Sequence, residues 1–290
     1  MEFITTLING LSIGGIYAMI ALGYTMVYGI AKMLNFAHGD IIMAGGYAIF
    51  VFLNMTGQPL LAIAVAIIFC TILGITIERL AYRPLRGASP LAVLITAIGV
   101  SYLLQSLAQI IFGSAPKMVT IFELGSVKIG SLKIQVATLL TLACTIVVMA
   151  ALNIFVKFTK MGRAMVATSE DRDATELMGI SVNKVITVTF AIGSALAGIA
   201  GFFYLLKSPS LSNTFGSMPG IKAFTAAVIG GIGSIPGAML GGILLGIVEC
   251  FSYSVSAIAP YTDAIEFLIL IVILLVRPTG ILGKVRREKV

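Results

Sequence analysis

Apolar residues run along this chain in blocks and not in stripes. Runs of roughly 20 mostly apolar residues, the length needed to cross a bilayer as a helix, recur about eight times between short polar interruptions. The run from Leu139 to Phe155 is apolar on every face. A membrane β-barrel is thereby excluded, because its strands alternate apolar and polar residues over segments of roughly ten. The pattern predicts an all-α polytopic membrane protein of about eight transmembrane segments, forming a single transmembrane domain over residues 1–290.

Charge orders these segments. Three polar stretches hold all the arginines: Glu78 to Ala88, Lys157 to Lys184, and the tail from Arg277 onward. Positive residues stay on the cytoplasmic side, so these stretches, and the C-terminus with them, are expected there. Ile111 to Lys133 and Lys207 to Lys222 then lie outside, and the N-terminus is expected outside as well, with Glu2 and no basic residue before Lys32.

Two segments are interrupted. Ala223 to Ser256 is broken at Gly230, Gly231, Gly233, Pro236 and Gly237, where proline removes a helical hydrogen bond and glycine tolerates non-helical dihedrals. A hairpin-like or discontinuous span is expected, with close helix packing as the alternative use of the glycines. The N-terminal third has a matching break at Asn35-Phe36-Ala37-His38-Gly39-Asp40, followed by Gly45 and Gly46. An internal repeat is visible: Ile42 to Gly46 resembles Ala238 to Gly242, and Arg83-Pro84 and Arg277-Pro278 follow at similar distances. Repeats with interrupted helices at corresponding places point to a transport pathway at the repeat interface.

Composition narrows the function. With 290 residues, 59% hydrophobic and 11% charged, the chain has too little polar surface for a soluble globule. A net charge of +7 needs only membrane-flanking anchors, not nucleic acid. Cys70, Cys144 and Cys250 stand singly in apolar runs and predict neither a disulfide nor a metal site. The first residues lack the basic region and cleavage site of a secretory signal, so the first apolar run is expected to remain as a span.

The cytoplasmic segment 157–184 is polar without being built like a linker. Thr168 or Ser169 is placed to cap a helix whose first turn carries Glu170, Asp171 and Asp173, and Gly179 is placed to end it. At about nine residues such a helix does not stand alone in water. Ala174, Leu177 and Met178 give it an apolar side for docking, with the charged remainder facing a soluble partner; the alternative is a loop helix lying on the chain's own membrane domain. No phosphate-binding glycine loop with its lysine and hydroxyl occurs, so no ATP is bound or hydrolysed by the chain itself and no cofactor is expected. Intramembrane ion relays need several buried charges, each costing roughly 2.5–3.5 kcal/mol. Only Glu249 falls clearly inside a span, with Asp263 and Glu266 near the outer end of the last. It either lines a polar pathway or is a structural carboxylate paired with Ser252 or a tyrosine. His38 is the one histidine and builds no metal or catalytic site; Asn35, His38 and Asp40 suit capping or a hinge. In the extracytoplasmic loop 113–134, alternation from Val119 to Ile134 around Gly125 and Gly130 predicts a small β-hairpin, touching a partner or covering the helices.

Leu34 to Asp40, Tyr82 to Arg86, Met161 to Met165, Leu177 to Ile180 and Gly230 to Ala238 together resemble the LivH-type permeases of branched-chain amino-acid ABC importers. The resemblance spans about residues 5–283. It implies a cell inner-membrane subunit that works by alternating access beside a second permease of LivM type, two cytoplasmic ATPase subunits that bind the ATP, and a periplasmic amino-acid-binding protein. By the same resemblance Arg163 to Ile180, with Arg163, Asp171, Asp173, Glu176, Leu177 and Gly179, is the ATPase-coupling segment, and Val166 stands where the family carries a basic residue. Asn35, His38, Gly39, Asp40, Gly45, Gly46, Gly230, Gly231, Gly233, Pro236, Gly237 and Glu249 are the pathway or hinge candidates. Permeases for urea, short amides or other amino acids share the pattern. A stand-alone channel or secondary carrier is the rival outside the importer class.

Overall fold

The structure, a computed structural model, describes residues 2–122, 125–129 and 132–283. Gly130 and the tail residues Lys284, Arg286 and Arg287 fall outside the described residues. The helices in chain order are α1 (Glu2–Ala31), α2 (His38–Thr56), α3 (Pro59–Ile77), α4 (Pro90–Phe112), α5 (Val136–Phe158), α6 (Lys160–Glu170), α7 (Arg172–Leu177), α8 (Val182–Lys207), α9 (Ser217–Gly230), α10 (Ile235–Ser254) and α11 (Thr262–Val276). Among the described residues, eight helical segments are long and apolar enough to cross a membrane, the number that the hydropathy predicted. The other long apolar element, α9, has only 14 residues.

Proline starts three of the membrane helices. Pro59, Pro90 and Pro236 all fall in a first turn, where the missing N–H would be unpaired anyway. Pro236 therefore does not interrupt a helix, as its sequence context had suggested. It opens α10 behind the Ser234 side chain, which accepts a hydrogen bond from the Gly237 N–H at 3.2 Å.

α1 is the central element, with Ile16 through Leu22 buried on all sides. It packs along α10 through glycines at four-residue spacing. A Cβ on Gly14 would lie 2.7 Å from the Ile243 Cα, and one on Gly10 would lie 2.9 Å from the Ile247 Cα. Gly242 and Gly246 face α1 at equally short range. In a membrane, where apolar burial gives helices no mutual attraction, such close backbone approach is what holds them together.

One end of the bundle gathers the described basic stretches. Arg86 binds Asn183 and Glu78, Thr187 donates to Glu78 at 2.8 Å, and the Ile281 N–H donates to the Ile229 carbonyl at 2.9 Å. The opposite end carries the predicted hairpin, β2 (Ser126–Ile129) against β3 (Leu132–Gln135), with Ile129 opposite Leu132. A second short ladder pairs β1 (Lys117–Met118) with β4 (Ser210–Leu211). Val119, Ile121 and Ile134 are buried, so this loop lies on the helices as a cover.

The two glycine pairs sit in α2 and α10, each followed by a helix that returns to an Arg-Pro at the arginine-rich end. Packing shows a further relation of inverted sense. α1 lies along α10 as α8 lies along α3, and α2 rests on α3 and α8 as α9 rests on α10 and α1. Helices α1 to α4 and α8 to α11 thus form two halves, each containing one interrupted helix, with α5 to α7 between them.

Candidate translocation pathway and coupling segment

The first interruption follows α1. Lys32 adopts φ 54°, the chain is irregular to Asn35, and α2 starts only at His38, deep in the bundle beside Tyr24, with ring centroids 4.7 Å apart. The second follows α8: residues 212–216 fold back inward and α9 starts at Ser217. The two starts meet, since a Cβ on Gly39 would lie 2.5 Å from the Gly216 carbonyl oxygen and one on Gly220 would lie 3.0 Å from the Gly39 Cα. One half-helix therefore enters from the arginine-rich end and the other from the opposite end. Irregular backbone at membrane depth persists only where protein or a water-filled path covers it.

Polar side chains hold this junction. Asn35 accepts from the Tyr82 hydroxyl at 2.9 Å, which explains the tyrosine in the Tyr82-Arg83-Pro84 motif. Asp40 accepts from Gln105 on α4 at 2.9 Å, and Gln105 reaches Ser217 at 3.5 Å. Asn35, His38 and Asp40 are thus brought together with Gly39, but not as caps. Ala37 occupies the cap position of α2 with no side-chain hydrogen bond, and His38 leaves its Nε2 without a partner. Gly45 and Gly46 belong to packing, beneath Cys70 and Leu211 in the uninterrupted body of α2.

Gly230, Gly231, Gly233 and Gly237 shape the α9–α10 turn at the arginine-rich end. Gly231 and Gly233 have φ 107° and 93°, a region costly for residues with a Cβ, and Gly231 packs against Gly283 of the C-terminal segment. The hairpin expected there is present.

Glu249 pairs not with Ser252 but with a tyrosine, Tyr17, and also with Lys222, a residue expected outside the membrane. Lys222 is buried in α9, with Nζ 2.9 Å from Glu249, 2.9 Å from Asp263 and 3.3 Å from Glu266. One ammonium thus serves three carboxylates. Glu266 is fully buried and Asp263 half-exposed. Hydropathy missed Lys222 because a single lysine near a glycine-rich break reads as a boundary; the three-residue spacing of Asp263 and Glu266 along one helix face was the available signal.

The candidate coupling segment is two helices and not one. Asp171 divides α6 from α7 and accepts from the Ala174 N–H at 3.0 Å as the true cap. The Thr168 hydroxyl instead donates back to Ala164 at 2.8 Å, and that of Ser169 to Val166 at 2.7 Å. Gly179, at φ 79°, ends α7. The side docked on this chain is Arg172 and Thr175, while Leu177 and Met178, part of the expected apolar docking side, are 89% and 81% exposed. Arg163, Asp173 and Glu176 are exposed as well. Arg172, not among the sequence candidates, donates to the Ile30 carbonyl at 3.2 Å and to that of Ala31. It thereby satisfies the last carbonyls of α1 at the negative end of its dipole. Burial lowers its pKa, the nearby Arg86 acts in the same direction, and Asp173 opposes them.

Residues 6–274 match the family model described as "Branched-chain amino acid transport system / permease component". The chain belongs to this family. BraD of Pseudomonas aeruginosa, a high-affinity branched-chain amino acid transport permease protein, is 43% identical over 100% of this chain and 98% of its own length. LivH of Escherichia coli K12, named likewise, is 42% identical with the same coverage. PsaBC from Streptococcus pneumoniae, solved with a Fab, aligns with a TM-score of 0.48 at 14% identity over 96% of this chain and 93% of that one. As a family member the chain is a multi-pass membrane permease subunit of an ABC transport system, and the paired interruptions and exposed α6–α7 segment are features of that subunit.

Proposed function

We propose that this permease carries leucine, isoleucine and valine across the inner membrane as one subunit of an ABC importer. The observation that carries the reading is the meeting of two interrupted helices inside the bundle, in a chain that matches branched-chain amino-acid permeases along its whole length. The positive-inside rule puts the arginine-rich end in the cytoplasm and the N-terminus outside. The apolar faces of α4 and α11, scarcely buried within this chain, suit lipid and a second permease subunit of LivM type.

ATP is bound by two partner subunits, and a periplasmic binding protein delivers the amino acid. The exposed Leu177 and Met178, with Asp173 and Glu176 in the same short helix as Leu177 and Arg163 exposed on α6, supply an apolar centre and charged surroundings for docking an ATPase subunit. Arg172 joins the same helix to the end of α1, immediately before the first interruption. Closure of the ATPase pair is thus passed to the junction of α2 and α9, which opens the path to one side at a time.

The test is uptake in cells deprived of their own branched-chain amino-acid uptake systems. Expression of this chain with its partner subunits restores energy-dependent leucine uptake, competed by isoleucine and valine and unaffected by urea or acetamide. Competition by urea or acetamide alone would reassign the substrate.

A further inference from the structure

A cavity of about 630 Å³ lies between α1, α8 and α10 under the β2–β3 hairpin, toward the end opposite the arginines. Its volume falls within the roughly 300–1,000 Å³ typical of small-molecule sites. Two groups of opposite charge line it, Glu249 and Lys207. Glu249 is 7% exposed; its Oε1 holds Lys222, and the Tyr17 hydroxyl hydrogen-bonds to the same carboxylate. Lys207, at the end of α8, makes a long contact of 3.5 Å from Nζ to the Asn9 carbonyl. Tyr17 and Tyr204 stand beside Glu249 in the wall, and Ile13 and Ile16 supply an apolar side.

A carboxylate has room for about four hydrogen bonds, and Glu249 lines a space large enough for a ligand. The carboxylate and the loosely held ammonium in one cavity together describe a zwitterion. An ammonium matches Glu249, a carboxylate matches Lys207, and an aliphatic side chain matches the isoleucine wall. We infer that this cavity is a binding site for a free aliphatic α-amino acid within the permease, with Glu249 taking the ammonium and Lys207 the carboxylate.

The inference rests on the proposed function for its substrate class and adds the place where the amino acid pauses after delivery. The cavity exceeds what one amino acid fills, so water shares it. The site is accordingly weak, as a transit site must be if the ligand is to leave.

The test is binding of tritiated leucine to the assembled permease and ATPase complex in nanodiscs, with the binding protein omitted. Saturable binding is expected, competed by leucine but not by leucinol, which lacks the carboxylate, nor by 4-methylpentanoate, which lacks the ammonium. Glu249→Gln, which keeps the shape beside Lys222, and Lys207→Gln, which leaves the lysine–carboxylate cluster intact, each weaken binding by at least about tenfold, the effect of losing one charge-assisted hydrogen bond. Absence of saturable binding to the unaltered complex, or equal binding by both variants, overturns the inference. ATP-driven uptake by the same complex with binding protein separates the two readings. Intact uptake without binding removes only the site, and absent uptake removes the importer.

Discussion

The Nζ of Lys222 on α9 lies 2.9 Å from the Oε1 of Glu249 on α10, and both residues are buried. With Asp263 and Glu266 of α11 on the same ammonium, this contact ties three helices of the second half together. Removing one partner of a buried pair leaves an uncompensated charge, at a cost of about 3–5 kcal/mol. Lys222→Met is therefore expected to lower the thermal midpoint of the detergent-purified protein sharply. Combining it with Glu249→Gln and Glu266→Gln recovers much of the loss. A triple variant no more stable than the single one would contradict the charge account.

Arg172 links the coupling segment to α1 by hydrogen bonds to two carbonyls. Arg172→Gln removes the charge and most of the reach, so leucine uptake is expected to fall about tenfold, in keeping with one charge-assisted hydrogen bond, while ATP hydrolysis by the complex continues. Arg172→Lys retains one charged donor and recovers part of the uptake. Measuring leucine transported per ATP hydrolysed separates this uncoupling from simple loss of assembly.

Leu177 and Met178 contribute little to the chain's own stability, being 89% and 81% exposed. Substitutions at such positions usually stay within about 0.5 kcal/mol. Leu177→Asp is expected to leave the thermal midpoint unchanged and to weaken co-purification of the ATPase subunits by tenfold or more, because apolar anchors at the centre of an interface carry most of its energy.

The α1–α10 contact depends on absent side chains. Gly14→Val forces methyl groups into the Ile243 backbone, where a Cβ alone would sit 2.7 Å away, and is expected to destabilise the fold strongly. Gly99→Val on α4 meets nothing within 4 Å of the added Cβ and serves as the neutral comparison. Thermal midpoints of the two variants, measured side by side, check the assignment.

Hydropathy alone made the spans legible, because a bilayer admits so few backbone solutions. The breaks after Ala31 and Gly230 were legible through their glycines and polar clusters. Other features were hidden for identifiable physical reasons. Lys222 is one charge in a short helix, and its burial depends on carboxylates about 27 to 44 residues away in the chain, as the Glu249 and Glu266 separations show. Asp171 competed with Thr168 and Ser169 as a cap, and local sequence does not reveal that the two hydroxyls turn back onto their own helix. The outward turn of Leu177 and Met178 was obscured because, in a single membrane subunit, the most apolar face of a surface helix can belong to a partner.

Component omission in proteoliposomes tests the central claim most directly. Tritiated leucine uptake is measured with this permease, its second permease, the ATPase subunits, binding protein and ATP, then with each left out in turn. The account predicts uptake only from the complete set, with nothing accumulated by this chain alone. Leucine entry through this chain alone, without ATP, would contradict the account and make the protein a channel or carrier.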